Sequence, residues 1–97
     1  MATGIIIIPV DDQMYSAEEA AKRYNDMLDE FNANPNYTAD PKNKRVPAGE
    51  DVAQAMLNDK TYYAYFYQDG DRRKCLSMSI HEYDGKYYVG ESYYLDK

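Results

Sequence analysis

The fold is decided by residues 61–95, which read TYYAYFYQDGDRRKCLSMSIHEYDGKYYVGESYYL. Three runs rich in tyrosine and β-branched residues are separated there by two dipeptides, Asp69-Gly70 and Asp84-Gly85. Asp-Gly between such runs is the strongest short-range signal for a β-hairpin, because both residues tolerate the positive φ that a type I′ turn requires. The stretch therefore predicts an antiparallel meander of three strands.

The register of the second hairpin follows from its turn. If Asp84 and Gly85 are the two loop residues, Tyr83 faces Lys86 and the pairing continues outward from there. One face then pairs Glu82 with Tyr87, Ile80 with Val89, Met78 with Glu91, and Leu76 with Tyr93. The other face pairs His81 with Tyr88, Ser79 with Gly90, Ser77 with Ser92, and Cys75 with Tyr94. Since side chains alternate along a strand, these two sets point to opposite sides of the sheet.

The two faces predict different roles. The first is the expected core face, and the second is a floor of small residues walled by tyrosines. Small residues let another backbone approach closely, while tyrosines supply contact area with little loss of entropy. We therefore expect a contact surface, for a partner or for a second copy, formed by Ser77, Ser79, Tyr88, Gly90, Ser92 and Tyr94.

The first hairpin leaves two alternatives open. Asp69-Gly70 is either a two-residue loop or the end of a three-residue loop with a bulge. A one-residue change of register moves every side chain of a strand to the other face. The two alternatives therefore turn opposite faces of Tyr62, Ala64 and Phe66 inward.

A helix is predicted over residues 16–32. Ser16 is a favourable N-cap, and Glu19 completes a capping box that contributes roughly 1 kcal/mol. The apolar residues recur at helical spacing and form one stripe: Ala20, Tyr24, Met27, Leu28 and Phe31. We expect this stripe to pack on the sheet face that carries Leu76, Met78, Ile80 and Val89.

Four carboxylates lie toward the outer side of this helix: Glu18, Asp26, Asp29 and Glu30. They form either a solvated helix face or a contact surface for a basic partner, in which carboxylates stand in for phosphates before a nucleic-acid-handling protein. The whole chain carries a net charge of −6 and has a pI near 4.6. This charge argues against direct binding of nucleic acid or of an anionic membrane.

The remaining segments complete an α+β order within a single domain, residues 1–97. Residues 4–10 include four consecutive isoleucines, which predicts a central strand or an edge strand buried by a second subunit; pairing should stop at Pro9. Residues 33–49 are predicted to be a long loop that either has a function or is partly disordered. Residues 50–59 are predicted to form a short helix whose apolar side is Val52, Ala53, Met56 and Leu57.

Few residues of the chain suit catalysis. Cys75 and His81 are its only thiol and imidazole, and a six-residue separation on one extended strand places them about 20 Å apart. We interpret Cys75 as an inert small hydrophobe and His81 as a cross-strand neighbour of Tyr88.

Glu91 would have a raised pKa and could act as an acid or base if it were buried. A bulge at Gly90 or an edge position would instead bring it to water.

Motifs for phosphate loops, clustered metal ligands and nucleophile elbows do not occur in the sequence, which predicts no cofactor, no metal site and no enzyme. One cysteine excludes an internal disulfide framework. The amino-terminal residues MATGIIIIPVDD have neither the basic region of a signal peptide nor the length of a membrane span. These features favour a cytoplasmic location.

The order of strand, long helix and antiparallel meander resembles that of cystatin-like and nuclear-transport-factor-2-like domains, in which a sheet curls around a helix. The resemblance is one of element order and covers no diagnostic residues, and the second helix departs from the cystatin pattern. It implies an α+β fold with the helix on one sheet face, and it implies no function.

Three functions follow as hypotheses. The first is a non-enzymatic protein-binding module, a small acidic stoichiometric inhibitor of immunity-like or anti-defence type that acts on a basic, nucleic-acid-handling protein. The second is a small-ligand-binding or catalytic domain whose pocket is lined by tyrosines, Glu91 and His81. The third is a structural homodimer through the Tyr/Ser/Gly sheet face.

Overall fold

The computed structural model describes residues 8–10 and 13–95, and for Ile8 and residues 93–95 it describes the backbone alone. The elements in chain order are β1 (Ile8–Pro9), α1 (Ala17–Ala33), β2 (Tyr37–Ala39), α2 (Val52–Leu57), β3 (Tyr63–Gln68), β4 (Lys74–Tyr83) and β5 (Lys86–Leu95). The strands form one antiparallel sheet in the order β1-β5-β4-β3-β2. Helix α1 packs on one face of this sheet, which confirms the predicted α+β class.

The predicted register of the second hairpin is confirmed at every pair, from Tyr83 opposite Lys86 to Cys75 opposite Tyr94. Asp84 and Gly85 both have positive φ, 53° and 80°, as a type I′ turn requires. The Glu82 carboxylate also accepts a hydrogen bond from the Gly85 N–H at 2.8 Å. The turn therefore determines which side chains of β4 and β5 face the helix.

The first hairpin has a longer loop than either predicted alternative. Tyr67 lies opposite Cys75, and residues 69–73 form a connection of two successive turns. The second turn arises because the Asp71 carboxylate accepts hydrogen bonds from the Arg73 N–H and guanidinium. The Asp71 contact lengthens the loop but leaves the apolar runs on either side unchanged. The length of the loop could therefore not be predicted from those runs.

The longer loop turns Tyr62, Ala64 and Phe66 inward, and all three are buried. A five-residue loop differs from a three-residue loop by two residues, so both give the strand the same inward face. The observed loop therefore turns the same face of the strand inward as the predicted three-residue loop would, but it is two residues longer.

The core lies between α1 and the sheet. Ala20, Tyr24, Met27 and Leu28 are buried on the helix side, and Leu76, Met78, Ile80 and Val89 are buried on the sheet side. Phe31 is half-buried, and its ring centroid lies 5.1 Å from that of Phe66 and 5.1 Å from that of Tyr37. Both hydrogen bonds of the predicted capping box form between Ser16 and Glu19. The predicted packing of the helix on the sheet is confirmed.

Strand β2 lies inside the stretch predicted to be a loop, residues 33–49. It has three residues, with Thr38 opposite Tyr67, and such a short edge strand gives no periodicity that a sequence pattern can detect. Farther along, the Asn43 side chain continues the edge in place of a strand. It accepts from the Tyr65 N–H at 2.7 Å and donates to the Tyr65 carbonyl at 2.9 Å.

Asn25 of α1 holds the next part of this loop in the same way. Its amide oxygen accepts from the Val46 N–H at 3.0 Å, and its amide nitrogen donates to the Val46 carbonyl at 3.1 Å. The Tyr24 hydroxyl donates to the Lys44 carbonyl at 2.6 Å. Burial raises the pKa of Tyr24, so it remains a donor throughout the physiological range. The loop is therefore ordered by side chains that bind its backbone.

Strand β1 corrects one prediction and confirms another. Ile8–Pro9 lies at the edge of the sheet beside β5, so the predicted central position is wrong for these two residues. The strand ends at Pro9, as predicted, and its last pair is Pro9 opposite Gly90. The hydrogen bond of this pair runs from the Val10 N–H to the Val89 carbonyl at 2.9 Å, so the pair does not need an N–H on proline. The predictions for residues 4–7 lie outside the described residues.

Helix α2 is shorter than residues 50–59 because Asp51 caps its start and Asn58 its end. Val52 is buried, but Leu57 is 76 % exposed. Leu57 was therefore wrongly assigned to the apolar side. A helix of six residues completes fewer than two turns, so one end of the predicted stripe reaches solvent.

Replacing Leu28 by alanine should lower the free energy of unfolding by about 2–5 kcal/mol, because the substitution leaves a cavity between α1 and the sheet. A urea melt measures this change. Glu30→Ala, on the exposed side of the same helix, is the control and should change the free energy by less than about 0.5 kcal/mol. Equal effects of the two substitutions would contradict the packing.

Replacing Asn25 by alanine should cost about 1–3 kcal/mol, because the backbone N–H and carbonyl of Val46 both lose their partner at a buried position. Asn32→Ala removes the same side chain from an exposed position of α1 and should have little effect. If both variants unfold at the same urea concentration, Asn25 does not hold the loop.

Candidate interaction surfaces

The four helix carboxylates predicted as a contact surface are all exposed on the side of α1 away from the sheet. Two of them are engaged within the chain. Asp26 lies 2.8 Å from Lys22 Nζ, and Asp29 receives two hydrogen bonds from the Arg45 guanidinium at 2.5 and 3.0 Å. The bonds from Arg45 lower the pKa of Asp29. The predicted acidic row is therefore partly neutralised by the chain's own cations.

Glu18 and Glu30 are the members of the row that have no ion pair among the described residues. They lie twelve positions apart on α1, which corresponds to about 18 Å along the helix axis. Glu18 also lines a cleft beside the first half of α1, whereas Glu30 lies near the carboxyl-terminal end of the helix. The two carboxylates therefore occupy different parts of the surface.

An open cleft of about 850 Å³ lies between the amino-terminal half of α1 and residues 46–53. The buried side chains Ala21, Val46 and Val52 contribute an apolar floor. Charged side chains also line it, namely Glu18, Lys22, Glu50 and Asp51. None of the described residues that line this cleft is a tyrosine, so it differs from the tyrosine-lined pocket predicted from the sequence.

Glu50 is held firmly at the cleft. Its carboxylate accepts hydrogen bonds from Lys60 Nζ at 2.7 Å and from the Tyr62 hydroxyl. These two bonds lower the pKa of Glu50, and burial, together with the bond to Glu50, raises the pKa of Tyr62. Glu50 is therefore ionised at neutral pH. Asp51 beside it accepts from the Gln54 N–H at 3.1 Å as the N-cap of α2.

The other face of the sheet, opposite α1, is named here the open sheet face. Its side chains follow from the strand registers: Tyr63, Tyr65 and Tyr67 on β3; Cys75, Ser77, Ser79, His81 and Tyr83 on β4; Lys86, Tyr88, Gly90 and Ser92 on β5. Tyr65 is 38 % exposed, whereas Ser92 is only 8 % exposed. The small residues thus lie low between taller tyrosines.

The predicted contact residues of the sheet lie together on the open sheet face. The hydroxyls of Ser77 and Ser92 form a hydrogen bond between β4 and β5. The His81 ring stacks on that of Tyr88, with 5.3 Å between ring centroids. The backbone of Tyr94 lies opposite Cys75, and the structure describes this residue by its backbone alone. The acidic helix residues and this face are on opposite sides of the molecule, so they do not form one surface.

The described hydrogen bonds do not join Cys75 and His81 as nucleophile and base. Cys75 donates weakly to the Leu76 carbonyl, and burial raises the pKa of its thiol, which disfavours a reactive thiolate. Glu91 is half-buried on β5, between Met78 of β4 and the backbone of Ile8 in the edge strand β1. Full burial was the condition for its proposed acid-base role, and that condition is not met.

A contact between Ser79 and His81 was not predicted from the sequence. Ser79 Oγ lies 2.7 Å from His81 Nε2. Side chains two residues apart share a strand face, so alternation could have revealed this pair. A serine bonded to an imidazole resembles a nucleophile with its base. However, β4 lies between β3 and β5, so its backbone N–H groups serve the sheet rather than an oxyanion.

Metal-ligand clusters and membrane-spanning helices are not found in the described part of the chain. In residues 8–10 and 13–95, no three His, Cys, Asp or Glu side chains converge as metal ligands. Within the same residues, no helix has both the length and the apolar content needed to span a bilayer. No protein-family model matches the chain, and no curated protein or solved structure matches it either. The function is therefore inferred from the surfaces of the chain itself.

The pKa of His81 is lowered by burial, which predicts a specific pH dependence. The folded chain prefers the neutral imidazole, while the unfolded chain binds a proton near pH 6.5. The contribution of His81 to the free energy of unfolding should therefore be constant above this pH and should fall as pH drops below about 6.5, by at most about 1.4 kcal/mol per pH unit.

Urea melts at several pH values test this dependence. His81→Gln should flatten the curve between pH 6.5 and 5, because glutamine does not titrate. A wild-type curve that is already flat in this window would contradict the burial of the imidazole.

Proposed function

We propose that this chain is a non-enzymatic protein-binding module that acts as a small stoichiometric inhibitor of a basic, nucleic-acid-handling protein. The observation that carries the proposal is the cleft beside α1, whose apolar floor is bordered by three carboxylates, Glu18, Glu50 and Asp51, and by one cation, Lys22. The net charge of −6 supports it, since a partner of opposite charge is attracted before contact.

The cleft suits a lysine or arginine side chain. The methylene stem of such a side chain packs on apolar surface while its charged head remains near polar groups. Val46 and Val52 offer that apolar surface, and Glu18 and Asp51 offer carboxylates near it. A charge-assisted hydrogen bond to a carboxylate is about twice as strong as a neutral one.

The walls of the cleft are held in place before a partner arrives. Asn25 binds the backbone of Val46 on one side, and Glu50 binds Lys60 and Tyr62 on the other. A preformed site loses less conformational entropy when it binds. This rigidity supports tight stoichiometric inhibition by a chain of only 97 residues.

A non-catalytic role is supported by the state of the candidate groups. Burial raises the pKa of the Cys75 thiol, and Glu91 is only half-buried. The remaining pair, Ser79 with His81, lies on a central strand whose backbone is used by the sheet. A binding role requires none of these groups to react.

The test compares Glu18→Lys with Glu30→Lys, using the basic partner recovered from the source cells. Both substitutions change the net charge equally, but only Glu18 lines the cleft. Asp26 and Asp29 are left intact because both already pair with cations of the chain. Stopped-flow association rates should fall for both variants at low salt and fall further for Glu18→Lys.

The salt dependence provides the second reading of this experiment. Steering should fade as ionic strength approaches about 0.15 M, where the screening length is about 8 Å. If both variants associate as fast as the parent at every salt concentration, the acidic groups serve solubility and the inhibitor proposal fails. An equal loss for both variants would retain the basic partner but remove the cleft from the proposal.

A further inference from the structure

The open sheet face has a composition unlike the rest of the chain. The chain contains 17 Asp and Glu residues, yet the strand registers place no acidic side chain among the described residues of β3, β4 and β5 on this face. The charged residue that the registers place there is Lys86, beside the hairpin turn. Asp40 reaches the border of the face, where the Tyr67 hydroxyl donates to it and the Arg72 guanidinium lies over the Tyr67 ring. Two copies that meet on this face therefore bring few carboxylates together.

The face also has two halves of complementary height. Tyr63, Tyr65 and Tyr67 form a ridge along β3. Beside it, Ser77, Ser79, Gly90 and Ser92 form a trough along β4 and β5. Tyr63 lies opposite Ser79 and Tyr65 opposite Ser77, so the ridge and the trough run side by side at the same level.

We propose that this face is the interface of a two-fold symmetric homodimer. A two-fold axis that lies in the interface, parallel to the strands and between β3 and β4, places the tyrosine ridge of each copy over the trough of the other. Such an interface is self-complementary, as a two-fold dimer requires. The proposal is independent of the inhibitor function, which depends on the opposite side of the molecule.

The ridge is held in position within one chain. The Tyr63 and Tyr65 rings meet edge to face, with 5.3 Å between their centroids. The Arg72 guanidinium stacks 4.8 Å from the centroid of Tyr67, whose hydroxyl donates to Asp40 at 2.7 Å. Ordered rings lose little rotamer freedom when a second copy covers them. They also keep hydroxyl groups that suit a partly polar interface.

The size of the face is at the low end for a dimer. Three strands spaced by about 4.8 Å, with a mean strand length of about 29 Å, give a flat area on the order of 420 Å². Protruding rings make the accessible area larger than the flat one. A stable interface buries about 800 Å² per partner, which is of the same order.

Sedimentation velocity across the micromolar range tests the proposal. The parent should sediment as a dimer of 11.2 kDa chains. Ser79→Arg places a long cation in the trough and should give a monomer with an unchanged circular dichroism spectrum. Asn32→Arg, on exposed α1, is the matched control and should remain a dimer.

Ser79 binds His81, so a second variant separates loss of contact from loss of folding. Tyr65→Ser removes one exposed ring of the ridge and should raise the dissociation constant at least about tenfold. A parent that is monomeric throughout the concentration range overturns the proposal. A dimer that survives both face variants also overturns it, because its interface then lies elsewhere.

Discussion

The structure depends on strict alternation along β4 and β5, whose register is set by the turn at Asp84 and Gly85. That turn requires positive φ at both residues, and it leaves one arrangement of the two strands. Ile80 and Val89 then face α1, while Ser79 and its neighbours face away. A shift of one residue would expose the core and bury the polar face, so hydrophobic burial and turn geometry support the same register.

A second constraint is that backbone N–H and carbonyl groups outside the regular strand pairs need hydrogen-bond partners. Asn43 pairs with the backbone of Tyr65, and Asn25 pairs with that of Val46, each through a donor and an acceptor. The Asn43 contact covers part of the edge of β3, which would otherwise offer free hydrogen-bonding groups to another chain. The Asn25 contact holds Val46, which lines the cleft. Asn25 thus connects the stability of the loop with the shape of the proposed binding site.

The sequence predicted features that depend on neighbours in the chain. The capping box at Ser16 and the turn at Asp84 are local, and both are confirmed. It missed strand β2, the ion pair of Asp29 with Arg45, and the cleft, since each depends on residues far apart in the sequence. The five-residue loop was missed because the Asp71 side chain stabilises an additional turn. Of the candidate surfaces, the open sheet face followed from alternation alone.

Taken together, the two proposals assign the two sides of the sheet to different contacts: a second copy on the tyrosine side and a basic partner beside α1. Hydroxyl-radical footprinting at increasing protein concentration tests this division most directly. Oxidation of Tyr65 and Tyr88 should decrease as the concentration rises, while oxidation of Leu57, which is exposed on α2, should stay constant. Unchanged oxidation of both tyrosines, or protection of Leu57 instead, would contradict the assignment.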